Sequence, residues 1–374
     1  MPSKRILFRP YLLTTLIALV LAVIVVLRAG DAHALVTIGT RFSEGLSEAA
    51  GGTEGYDGQF NYYIARDLSG AAPFLDVPAY RMQRILFPAL GTLLSFGQES
   101  GIVWAFLLIN LIAIAGGVAL LENLLIGHKA NRWLSLGFGL SLGIIGSARL
   151  SLSEPLAYAL VLAALWQSTR ERWLPGALLL ALAALAKETT LFFAAGWVLY
   201  VLAIERRPLR AVRIGSISLL PFVLWQFVLR AHFGTFGIGS GGEQATPFEI
   251  IPFAGIVRIF TESPVASWAG LALIYGAILI PFVLLPTLWA LRQVWQDGRK
   301  RTFTFWSALL LANALILPFV PFSTYREPIG ILRFILGLQI ALILYAAAGR
   351  HPRALRYSTF WALTGLFALT LMGS

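Results

Sequence analysis

Residues 101–125 read GIVWAFLLINLIAIAGGVALLENLL, a run of 25 residues whose only charged side chain is Glu122. A helix of roughly 17 to 25 apolar residues crosses the hydrocarbon of a bilayer, so this stretch alone is long enough to span one. Similar runs, separated by short charged segments, recur from Tyr11 to Met372. They are Tyr11–Leu27, Gly101–Leu125, Trp133–Ser147, Ser153–Gln167, Leu174–Ala186, Thr189–Ile204, Arg213–Leu229, Trp268–Leu291, Phe303–Pro321, Ile331–Ala348 and Ser358–Met372. The expected fold class is therefore all-α, a polytopic integral membrane protein of about eleven transmembrane helices. Runs as short as Leu174–Ala186 fit as tilted, broken or paired spans.

Composition excludes the ordinary soluble classes. Hydrophobic residues make up 58% of the 374 and charged ones 13%, against roughly 25% charged in a soluble domain; the mean hydropathy is +0.77. The net charge of +11 lies in small clusters between apolar runs, which argues for membrane topology and against a nucleic-acid partner. With no cysteine, disulfides, a thiol nucleophile and a Cys-type zinc site are all excluded. His33, His128, His232 and His351 are scattered without ligand spacing, which predicts no structural metal site.

Positively charged short loops stay in the cytoplasm. With the N-terminus inside, every inner segment is basic, from Lys4, Arg5 and Arg9 through Lys129, Arg132, Arg170 and Arg172 to Arg299, Lys300, Arg301, Arg350 and Arg353. Only Glu122, Glu171, Glu205 and Asp297 fall on or near those segments, and the other carboxylates face outward. The expected location is the inner (plasma) membrane, with a functional site on the periplasmic or extracellular side. A cleaved signal peptide ending near Ala32-His33-Ala34 competes for the first segment, but the apolar run is long for one, and a retained helix fits the charge pattern. Two outer loops are long enough to build a site within the single membrane domain, residues 28–100 and residues 230–267, the second carrying Gly237-Ile238-Gly239-Ser240-Gly241-Gly242.

The first loop holds the main candidates. Asp57 follows a Gly-rich turn and precedes a helical stretch, the position of an N-cap. Gln59, Asn61, Tyr62 and Tyr63 follow it and suit sugar hydroxyls through hydrogen bonds and ring stacking. After Pro78 come Tyr80, Arg81 and Arg84; the two arginines are three apart, share a helix face and are spaced to meet one phosphate, unless they only anchor an interfacial helix beside lipid headgroups. Glu154 sits in an outer turn, and Lys187-Glu188 punctuates two apolar runs, either as a local ion pair or as a functional pair. Arg326 lies in the turn Tyr325-Arg326-Glu327-Pro328, and Arg333 just inside the next span either snorkels to the interface or binds an anion in a cavity.

The strings GYDGQFNYYIA (residues 55–65) and PAYRMQRILFP (residues 78–88), followed by many short-looped spans, resemble the bacterial membrane glycosyltransferases of the GT-C superfamily, especially the mannosyltransferase-like group related to PIG-V. The specific likeness covers residues 55–88, and the order of spans and polar turns extends it over most of the chain. The resemblance implies transfer of a hexose or pentose from a polyprenyl-phosphate donor to a lipid, glycan or protein acceptor. It gives Asp57 the place of general base or acceptor-positioning acid, Glu154 that of a second outer acid, and Arg81, Arg84, Lys187 or Arg333 the donor phosphate; Glu54, Tyr56, Gln59, Tyr62, Tyr80, Glu188 and Arg326 complete the expected binding set. Where many relatives carry two adjacent acids, Tyr56 precedes Asp57 here and the nearest other acid is Glu54. No cofactor is required by this reading, although Asp57 and Glu154 are candidates to share a divalent ion. The rival reading is a lipid-linked-sugar flippase or other transporter, whose repeat symmetry and mid-membrane charges are not evident here.

Overall fold

A computed structural model describes residues 9–242 and 244–372. The described residues are helical or irregular, with no strand among them. Lys4 and Arg5, the first of the expected inner cations, lie outside the described residues. Four helices are long and apolar enough to cross a membrane: Pro10–Ala29, Glu99–Gly127, Pro208–Phe233 and Val265–Lys300. Pro328–Phe334 and Leu336–Ala348, bent by 43°, make a fifth if taken as one span.

The other expected runs are shorter or broken. Trp133–Ser147 does not form one helix: it divides into Arg132–Ser135, Leu136–Gly139 and Leu142–Arg149, with Ser141 extended between the last two. Four glycines in those fifteen residues lower helix propensity, and tertiary packing overrides the apolar pattern. Trp173–Ala186, Glu188–Ala203 and Phe305–Phe319 are apolar but short of a full crossing. The expected Ser358–Met372 run likewise falls into Pro352–Ser358, Trp361–Thr364 and Gly365–Met372.

Local rules account for the ends of the long helices. Proline stands in the first turn of Pro10–Ala29 and Pro208–Phe233, where it costs no hydrogen bond, and a left-handed glycine, Gly30 or Gly234, closes each. Glu122, buried in Glu99–Gly127, accepts the Tyr11 N–H at 2.9 Å and pairs with Arg9. It thereby satisfies one of the orphan donors at the start of the first helix. Leu16, Ile112, Leu220, Phe227 and Leu273 are each more than half exposed, an outward apolar surface suited to lipid rather than water.

The segment expected as the first outer loop is a folded cap with its own core. Its helices Gly58–Arg66 and Leu86–Leu94 pack on Glu99–Gly127, and Pro78–Met82 packs on Gly58–Arg66 and Pro208–Phe233, burying Phe60, Tyr62, Tyr63, Ile64, Met82 and Phe87 together with Phe106. Tyr63 stacks on Phe74 and Phe87 on Phe106. Gly58 joins this cap to the bundle, because a Cβ there would lie 2.1 Å from the Leu150 carbonyl oxygen. Only glycine lets the cap helix begin so close to the turn that leads into Glu154.

Candidate functional site

The site is assembled where the cap meets the ends of several bundle helices. Asp57 is held there by a pinned turn. Gly55 adopts φ +70°, the Tyr56 N–H donates to the Thr37 carbonyl at 2.9 Å, and the Gln59 amide ties the Gly39 N–H to the Glu54 carbonyl at 3.0 and 2.8 Å. Gln59 is thus engaged first as a backbone staple, 1% exposed, which leaves one N–H and one lone pair of its amide for any sugar. Tyr62 is engaged as well: it is 3% exposed in the cap core and donates its hydroxyl to Glu99 at 2.7 Å.

Asp57 occupies the N-cap position of Gly58–Arg66, yet its side chain caps nothing. Its own backbone is already helical, at φ −52° and ψ −25°, whereas a capping side chain needs extended geometry to reach the N2 or N3 amide. The carboxylate turns instead to two arginines. Arg81 Nη1 donates to Oδ1 at 2.8 Å and Arg333 Nη1 to Oδ2 at 3.2 Å.

Each of these cations has a second carboxylate. Asp76 takes Arg81 side-on, through Nε and Nη2, both at 2.7 Å, and Phe60 lies 4.2 Å from the same guanidinium. Glu154 Oε1 accepts from Arg333 Nε at 2.7 Å and from Lys187 Nζ at 2.6 Å. Glu188 takes Arg84 in a two-pronged pair at 2.7 and 2.9 Å, and the Arg84 Nη2 also donates to the Tyr80 hydroxyl at 2.9 Å. Lys187 and Glu188 are therefore not a local ion pair, since each reaches a partner on another element. Nor do Arg81 and Arg84 begin as a free pair facing one phosphate, because each guanidinium already has a carboxylate of its own.

Four carboxylates, Asp57, Asp76, Glu154 and Glu188, thus alternate with four cations, Arg81, Arg84, Lys187 and Arg333. Glu154 is 1% exposed and Arg333 6%. Charges buried this far persist only when paired and hydrogen-bonded. Burial by itself pushes the Asp57 carboxyl up, but Arg81, Arg333 and Arg84 outweigh it and hold the group well below the usual carboxylate range. Arg333 also donates to the Tyr56 hydroxyl at 3.1 Å, which in turn donates to Glu327 at 2.5 Å.

The network forms one wall of a cavity of about 960 Å³, lined also by Tyr56, Tyr80, Phe192, Phe248, Arg326 and Phe334. That volume lies within the range of roughly 300 to 1,000 Å³ of small-molecule sites. A separate recess of about 20 Å³ lies between Asp57, Asn61, Arg84 and Glu154, room for roughly one water. The second outer loop closes over the same wall. A Cβ on Gly242 would sit 3.1 Å from Asp76 Oδ2 and 3.2 Å from Arg81 Nη2, and the loop is pinned by the Ile238 N–H on Gln226 and by reciprocal bonds between Thr246 and Ser323, both at 3.1 Å.

Most of the expected residues meet here: Asp57, Tyr56, Tyr80, Arg81, Arg84, Glu154, Lys187, Glu188 and Arg333 lie around one cavity or its recess. Glu54, paired with Arg41, and Arg326 stand at its margin. Two participants were not expected, Asp76 and Glu327. Asp76 lies five residues before Arg81, just ahead of the helix-opening Pro78, and Glu327 adjoins Arg326 in the quoted turn. Arg333 bonds to both Asp57 and Glu154, and the two acids also line the water-sized recess between them. Among the described residues no group of three His, Asp or Glu side chains converges as metal ligands would. No protein-family model, curated protein or solved structure matches the chain.

Proposed function

We propose that this chain is an inverting membrane glycosyltransferase of the GT-C kind, with about eleven membrane-crossing segments and its cavity on the non-cytoplasmic face of the plasma membrane. It would move a hexose or pentose from a polyprenyl-phosphate donor to a lipid, glycan or protein hydroxyl. The observation that carries the reading is the joining of Asp57 to two anchored guanidiniums on the wall of a large cavity beside an apolar bundle. Acceptor activation and leaving-group stabilisation require these opposite charges within one substrate's length.

In this reading the polyprenyl tail stays in hydrocarbon and the phosphate meets Arg81 and Arg333, with Arg84 and Lys187 close behind. Asp57 takes the proton of the acceptor hydroxyl as its oxygen forms the new bond to the anomeric carbon. The bond from that carbon to the phosphate oxygen breaks on the opposite face, and the guanidiniums receive the negative charge left on the lipid phosphate. Attack from one face and departure from the other invert the anomeric centre. A nucleotide-sugar donor is disfavoured by the lack of a strand carrying a glycine-rich phosphate loop among the described residues.

Purified protein incubated with a radiolabelled polyprenyl-phosphate sugar and membrane acceptors tests the reading. Label transferred to acceptor with inverted anomeric configuration is expected. Movement of the labelled lipid across vesicles without transfer would replace the enzyme with a flippase.

A further inference from the structure

The two arginines that hold Asp57 are built alike. Arg81 is fixed by Asp76 through Nε and Nη2 and offers Nη1 to Asp57. Arg333 is fixed by Glu154 through Nε and offers Nη1 to the other oxygen of Asp57. In each pair a second carboxylate, Asp76 or the Glu154 that Arg333 shares with Lys187, anchors one side of the guanidinium and leaves an Nη1 end directed at Asp57. The two oxygens of Asp57 therefore sit in a seat made of two converging N–H groups, the geometry that phosphate oxygens also accept. The Asp57 side chain is 29% exposed there, so an incoming anion can reach it.

This arrangement conflicts with simple general-base catalysis. A carboxylate with both oxygens bound to guanidiniums is a poor proton acceptor, since catalytic bases work best with a pKa near the operating pH. The conflict disappears if the seat has two successive occupants. We infer that Asp57 rests in the seat of the donor phosphate and that phosphate entry displaces it, so that the donor itself releases the base. The inference rests on the proposed polyprenyl-phosphate donor.

Displacement needs no rearrangement of the anchors. Arg81 stays on Asp76 and Arg333 on Glu154, while their Nη1 ends exchange a carboxylate oxygen for a phosphate oxygen. The freed carboxylate loses two cationic contacts and gains an anionic neighbour, and both changes raise its basicity. The other charged and titratable groups facing it are Arg84, Tyr56 and Glu154, with Glu327 behind Tyr56. No bond is made or broken in this step. Binding order follows: donor first, then activation of the acceptor hydroxyl.

The test is carbodiimide labelling of the full-length protein in detergent, read by mass spectrometry at the Asp57 peptide across a pH series. Carbodiimide reacts with protonated carboxyls, so Asp57 in the free protein should resist labelling down to the acid limit of the fold. Farnesyl phosphate should move its labelling at least about one pH unit upward, and farnesol should not. In Arg81→Gln the labelling should already be shifted up without ligand, with a smaller increment from farnesyl phosphate. Arg81→Lys, which keeps the charge but loses the fork, should fall between and serves if the glutamine variant does not fold. An equal shift with inorganic phosphate supports the seat and shows that it reads phosphate without the tail. Binding of farnesyl phosphate by calorimetry with Asp57 labelling unmoved overturns the displacement alone; no binding of farnesyl phosphate overturns the donor reading beneath it.

Discussion

The two ends of the bundle use positive charge in opposite ways. At the cavity, Lys187 and Arg333 are buried, Arg81 and Arg84 are partly buried, and each is matched to a carboxylate. Glu154 starts the helix Glu154–Ser168 and Lys187 follows the end of Trp173–Ala186, so the turn joining these helices lies about 20 Å away at a helical rise of roughly 1.5 Å per residue. There Arg170 lies over Trp166, 3.5 Å from the ring centre, and Arg299 likewise covers Trp295 at 4.9 Å. Neither arginine has an ion pair among the described residues. One end joins its cations in an internal network, whereas at the other Arg9 and Arg210 form single pairs with Glu122 and Glu205 and Arg170 and Arg299 lie against tryptophan rings. Positive charge therefore builds an extended network with acids at the cavity and only isolated contacts at the far end.

The comparison predicts a ranking of effects. Asp57→Asn should lower transfer by roughly 10²- to 10⁴-fold, about 3 to 5 kcal/mol of barrier, with a fall in thermal midpoint smaller than that of Glu154→Ala, because Arg81 and Arg333 keep Asp76 and Glu154. Full transfer by this variant would remove the cavity end's claim to chemistry. Glu154→Ala leaves Arg333 and Lys187 without their shared partner in a buried place. It should cost about 3 to 5 kcal/mol of stability, seen as a large fall in thermal midpoint, whereas a shift no larger than a surface variant's would show the network to be open to water.

The pH dependence should divide by ligand state. Because Asp57 is depressed in the resting fold, its contribution to stability is complete above the ordinary carboxylate value and is lost only as pH falls through the lower folded value. The acid limb of kcat/KM for the donor reports the free enzyme and should lie below the ordinary carboxylate range, while that of kcat reports the bound enzyme and should lie higher. Coincident limbs would mean that the donor leaves the Asp57 contacts intact. The smallest effect is expected at the far end: Arg170→Ala and Arg299→Ala should each change stability by about 1 kcal/mol or less and leave transfer within twofold of the parent in a single-turnover assay.

The sequence made the apolar runs, the charge asymmetry and the cluster of candidate residues legible because each is a local property. Asp57, Arg81 and Arg84 stand within 28 positions of one another, inside two short strings. The pairings were not legible. Arg333 lies 179 residues from Glu154 and 276 from Asp57, and no periodicity carries information over such separations. Asp57 satisfied the sequence rule for an N-cap, but a rule about side-chain type cannot anticipate that the residue's own backbone turns helical and that two guanidiniums claim the carboxylate. The engagement of Tyr62, and in part of Gln59, was hidden for a related reason: polar groups in a folded cap are needed by the cap, as partners for Glu99 and for backbone amides. The broken 133–147 stretch shows the same limit for apolar runs, where hydropathy fixes the environment of a segment but not its continuity.

The matched charges at the cavity have a kinetic consequence. Four acids against four bases leave the wall close to electrically neutral, and at its margin Arg326 stands beside Glu327. Little field extends from such a surface beyond the screening length of roughly 8 Å at physiological salt, so dissolved polyanions are not drawn toward it from a distance. Under the proposed function, an anionic lipid substrate would reach this cavity by two-dimensional diffusion within the bilayer, and its association rate should change little with ionic strength, unlike that of an electrostatically steered soluble enzyme.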